Sequence, residues 1–136
     1  MIPVLVVILA FADLAAVKLE PDLNRRSELA LTHADEVIDE ARQAYEAGNA
    51  AAEAADMKEV ADAVALCYAS LEQTHSAPRK SKYYKRAELK VSALMRRLNG
   101  FRDEVSYDFR PNVEVALKKL SDIHDELITD IMSKKK

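Results

Sequence analysis

Breakers are scarce in this chain of 136 residues, and that scarcity limits what it can fold into. It has two glycines and four prolines, so there is little material for turns and few connections are expected. Between the breakers, apolar residues recur every three to four positions, the period of an amphipathic helix. Four such segments follow one another. The first is predicted from Pro21 to Ala47, with Leu23, Ala30, Ala34, Val37, Ala41 and Ala44 on its stripe and Gly48-Asn49 as its stop. The second, Ala50 to Thr74, carries Met57, Val60, Ala61, Val64, Cys67, Tyr68 and Leu71. The third carries Tyr84, Ala87, Val91, Leu94, Leu98, Phe101 and Val105. The fourth starts near Pro111 and carries Val113, Leu117, Leu120, His124, Leu127 and Ile131.

At 1.5 Å per residue each helix is roughly 30–40 Å long. Similar lengths and short connections predict an all-α, up-down-up-down antiparallel four-helix bundle, with residues 20–136 as a single helical-bundle domain. Helices two and three are then expected to be neighbours, with helix one diagonal to helix three. The stretch Ala41–Ala55 loosely resembles the helix-turn-helix of tetratricopeptide repeats. A repeat of about 34 residues needs a second copy, and the sequence has none.

The bundle is preceded by an eleven-residue apolar run, Ile2 to Ala12. It is short for a bilayer span of about 20 residues but fits the core of a secretory signal. Ala10-Phe11-Ala12 supplies small residues for cleavage before Asp13, and Ala16 is a second candidate site. Residues 1–12 are therefore read as a signal peptide, although no basic residue precedes the run. Cys67 is alone, so no intrachain disulfide is possible. Asn24, Asn49, Asn99 and Asn112 all lack the glycosylation pattern. Export without bridges or glycans points to a bacterial periplasm or a secreted bacterial protein. Contact with a membrane is expected only through the signal segment, if it is retained.

Charge is distributed unevenly. Lys18 to Gln73 holds 13 acids and 5 bases, whereas Arg79 to Arg102 holds 9 bases and one acid, Glu88. The basic half opens with "SAPRKSKYYKRAELK", Ser76 to Lys90. Bases interleaved with aromatic rings can hold anions, so Arg79, Lys80, Lys82, Lys85, Arg86, Lys90, Tyr83 and Tyr84 form the candidate partner site. In an exported protein the partner is an anionic envelope component or an acidic protein, possible partners including a second copy of the chain, and not cytoplasmic nucleic acid. Intramolecular neutralisation competes with this reading. The expected topology puts Arg96, Arg97 and Arg102 near Glu53, Asp56 and Glu59, and Arg86 and Lys90 near Glu126 and Asp130. It leaves Arg79, Lys80, Lys82 and Lys85 short of partners. A helix N-terminus also favours acids over bases.

Catalytic patterns are missing: the sequence has no Gly-x-Ser-x-Gly elbow, phosphate-binding glycine loop or His-Glu-x-x-His. The pairs Asp35-Glu36 and Asp39-Glu40 read as a solvated helix face, and Cys67 as a small buried hydrophobe. No enzyme, no metal site and no cofactor are expected. The alternative is a periplasmic haem- or metal-binding bundle. Cys-x-x-Cys-His is absent, so a haem would be held without covalent attachment by His124, on the fourth stripe, with His33 on a flank of helix one. The one Glu-x-x-His, Glu72 to His75, falls at a helix end.

Overall fold

The computed structural model describes residues 14–133. The signal-like run Ile2–Ala12 and the closing lysines Lys134–Lys136 lie outside the described residues. Among the described residues all regular structure is helical and no strand occurs. The four long helices are α1 (Leu23–Glu46), α2 (Ala50–Gln73), α3 (Lys82–Glu104) and α4 (Arg110–Met132). Short 3₁₀ turns at Pro78–Lys80 and Tyr107–Phe109 join them, and residues 14–18 form a helical turn ahead of α1.

Each boundary has a local cause. Asp22 caps α1, its carboxylate accepting from the backbone N–H of Asn24 and Arg25, so Pro21 lies just outside the helix. Gly48 adopts φ +71 after the last turn of α1, and Asn49 then caps α2 by accepting from Ala52 N–H at 3.0 Å. Ser81 caps α3, accepting from the N–H groups of Tyr83 and Tyr84. Pro111 occupies the first turn of α4, where its missing N–H costs nothing.

The stripes meet in one core. All seven apolar stripe residues expected on α3 are buried, and Val60, Val64, Leu71, Leu98, Phe101, Leu120 and Leu127 are fully so. At about 1.5–3 kcal/mol for each large side chain removed from water, this core supplies the main drive for folding. Leu14 and Val17, from the 14–18 turn, join the same cluster. The α1–α2 seam is the most extensive. Ala30, Ala34, Ala41 and Ala63 of these two helices are buried in the common core.

Contacts across the seams fix the register. His33 of α1 meets Glu59 of α2, and Glu88 of α3 meets His124 of α4. Glu28 meets Arg86, Asp35 meets Lys90, Asp39 meets Arg97, and Arg42 pairs with Glu104. Helices α1 and α3 therefore lie side by side and parallel. Helices α2 and α4 do the same, through Asn112 to Glu53 and Tyr68 to Asp130.

This corrects the expected neighbour order. Helices α2 and α3 touch only weakly, and residues 74–81 carry the chain from one hairpin to the other. Extended chain covers about 3.3 Å per residue, ample for crossing a bundle whose helix axes are about 10 Å apart. The expected partners are corrected with it. Arg86 and Lys90 pair with Glu28 and Asp35 instead of Glu126 and Asp130. Arg97 pairs with Asp35 and Asp39 instead of acids of α2. Arg96 bonds Ser92 on its own helix, and Arg102 its neighbour Asp103.

Candidate functional site at the basic end

The stretch from Ser76 to Lys90 divides into three groups. Tyr84 is core, 3% exposed. Arg86 and Lys90 are structural: Arg86 reaches Glu28 at 3.0 Å and Lys90 reaches Asp35 at 2.7 Å. Burial alone would raise the pKa of Asp35, but hydrogen bonds from Lys90 and Arg97 hold it below the usual carboxylate range. Arg79, Lys80, Lys82 and Lys85 form the third group. All four are exposed, and none makes an ion pair among the described residues. Lys82 instead places Nζ 5.3 Å from the centre of the half-buried Tyr83 ring, which Arg86 also approaches at 5.6 Å.

The helix register gathers further charge at the same end of the molecule. The start of α1 lies against the end of α2, where Leu23, Ala69, Glu72, Gln73 and His75 line one open depression of about 670 Å³. The Pro78–Lys80 turn packs on α4. The start of α1, the 74–85 connection and the end of α4 therefore share one end. Residues 14–28, 72–86 and 130–133 together contain eight bases and five acids. Several of those acids are already engaged: Glu20 with Arg25, Glu28 with Arg86, and Asp130 with Tyr68. Helices α1 and α4 also lack an acid in their first turn, so α3 is not special in this respect.

The histidines occupy two separate seams. His33 is 3% exposed, which corrects its expected place on an outer flank. Contact with α2 covers that flank. Its Nε2 lies 2.8 Å from Glu59, and its buried Nδ1 has no partner, so the tautomer that fits donates from Nε2 to the carboxylate. His124 is partly buried and its Nε2 lies 2.8 Å from Glu88. Each histidine thus engages a carboxylate from the other helix of its own hairpin, and the geometry does not bring the two together as an axial pair. Among the described residues, no three His, Cys, Asp or Glu side chains are grouped to hold a metal ion.

Two acids missed by sequence reasoning stand out on α2. Glu53 is fully buried; Asn112 donates to its Oε1 at 2.8 Å, Oε2 has no partner, and burial raises its pKa. Asp56 is half-buried, and burial with the charges of Glu40, Glu59 and Glu53 pushes it up to about 7. The spacing held the signal for Glu53, since it lies four residues before Met57 and extends the α2 stripe by one turn. Cys67 is buried, its thiol pushed up to about 12, which leaves little thiolate for chemistry.

Compared with protein-family models, curated proteins and solved structures, the chain matches none.

Proposed function

We propose that this chain is an exported, non-catalytic binding module: an up-down-up-down four-helix bundle that holds an anionic partner through Arg79, Lys80, Lys82 and Lys85. One observation carries the reading. Arg86, Lys90 and Arg97 are paired with acids of α1, whereas Arg79, Lys80, Lys82 and Lys85 stand exposed at the entry to α3 with no ion pair among the described residues. Cations crowded without counter-charge repel one another, and an anionic partner relieves that repulsion. Tyr83 beside them adds a ring for stacking or apolar contact.

Export is supported by the signal-like sequence up to Ala12. The fold bears on which cleavage site is compatible with it. Cleavage before Asp13 keeps Leu14 and Val17, both part of the core, whereas cleavage after Ala16 removes Leu14. Cleavage before Asp13 is the reading that keeps both residues, and the mass of the exported form from a bacterial host tests it directly.

The binding reading is tested with immobilised polyglutamate as the probe. A protein of net charge −3 has no overall reason to be retained on a polyanion. Retention that weakens steeply with salt and disappears in the variant carrying Arg79→Glu, Lys80→Glu, Lys82→Glu and Lys85→Glu supports the site. Flow-through of the wild type at low salt removes it.

A further inference from the structure

We infer that the partner of the basic end is an anionic phospholipid bilayer, on which the end docks flat; this rests on the anion-binding reading above and names its ligand class. Three observations favour a lipid surface over an acidic protein. First, the four bases stand exposed within one stretch of seven residues, 79–85, and are absent from the lining of the depression at that end. The depression at that end is lined by Leu23, Ala69, Glu72, Gln73 and His75, with no lysine or arginine among them. A planar array of mobile anions matches exposed cations without needing a shaped cleft.

Second, apolar side chains stand among the bases. Leu19, just before the cap of α1, is 82% exposed, and Met132, the last residue of α4, is 74% exposed. Both belong to the end that carries Arg79, Lys80, Lys82 and Lys85. Exposed apolar side chains ringed by lysines and arginines are the composition of an interfacial contact, with carbon in the acyl boundary and charge at the headgroups.

Third, α4 ends here, and the sequence that follows it is Lys134–Lys136, three more bases for anionic headgroups to attract. Among the described residues no helix is long and apolar enough to cross a membrane, so docking by this part of the chain is peripheral.

The test is vesicle flotation of the exported form beginning at Asp13, using phosphatidylcholine vesicles and equimolar phosphatidylcholine–phosphatidylglycerol vesicles, with polyglutamate retention measured in parallel. Ile2–Ala12 is absent from every protein compared, so it contributes to none of the measurements. The wild type is expected to bind the anionic vesicles more tightly than the neutral ones. Replacing the four bases by glutamate is expected to weaken that binding by at least about 100-fold, given that each base near a charged surface contributes about a fivefold factor. A second variant, Leu19→Ser with Met132→Ser, touches no core residue; it is expected to lose about tenfold on vesicles and nothing on polyglutamate. Polyglutamate retention with no preference for anionic vesicles overturns the lipid inference, leaves the basic site standing and assigns it to an acidic protein. Binding to neither probe overturns both. Full vesicle affinity in the serine variant overturns the flat docking of this end.

Discussion

Asp56 offers the sharpest test of the energetics. It lies on α2 with Glu53 and Glu59 from its own helix and Glu40 from α1, and burial with those three charges pushes it from 3.8 up to about 7. The folded chain therefore binds this proton more tightly than the unfolded chain does. Stability from Asp56 is full below about pH 4, falls as pH rises through the window from 3.8 to about 7, and levels off above it. A shift of about three units sets a ceiling of about 4 kcal/mol at 1.36 kcal/mol per unit. Asp56 is only half-buried and water screens its neighbours, so about 1–2 kcal/mol is the figure to carry forward. Asp56→Asn keeps the shape and removes the ionisation. Urea unfolding at pH 8.5 is expected to show the variant more stable by about 1–2 kcal/mol, with a melting temperature higher by about 3–8 °C. At pH 4 the difference is expected to vanish. An equal gain at both pH values, or a loss at pH 8.5, refutes the electrostatic reasoning.

Three further outcomes follow from named contacts. At Gly48, φ is +71 and a Cβ would meet nothing within 4 Å, so Gly48→Ala is expected to cost about 1 kcal/mol through backbone strain alone. Arg97→Ala removes the link from α3 to Asp35 and Asp39 and is expected to cost about 1–2 kcal/mol in thermal melts at low salt, and less at high salt. Cys67 is expected to resist a thiol-specific disulfide reagent in the folded protein and to react once urea unfolds it, because it is 1% exposed.

Helical periodicity was enough to read the elements, because each stripe reports which side of its own helix is apolar. The α3 series from Tyr84 to Val105 is buried throughout for that reason. Periodicity does not say which helix faces which, and the expected neighbour order failed there. The missing signal was in the charges. Glu28, Asp35 and Asp39 share one face of α1, Arg86, Lys90 and Arg97 share one face of α3, and the two series pair in parallel register. His33 was misplaced for a different cause: burial at a flank depends on which helix packs against it, and there α2 does. Glu53 was legible by register but carries a charge, and pattern reading assigned it to the surface. The candidate site came through narrowed, since only the fold shows which bases of the stretch already have partners.

The central claim is that the basic stretch divides into bases that hold the bundle together and bases that are free to bind. Two variants measured side by side test it: one with Arg79, Lys80, Lys82 and Lys85 changed to glutamate, the other with Arg86→Ala and Lys90→Ala. For both, polyglutamate retention and the thermal midpoint are recorded. The first variant is predicted to lose retention with an unchanged or slightly raised midpoint, because acids suit the start of α3. The second is predicted to keep retention and melt about 2–6 °C lower, having lost the ties to Glu28 and Asp35. The opposite pattern, with binding lost in the second variant and kept in the first, contradicts the account.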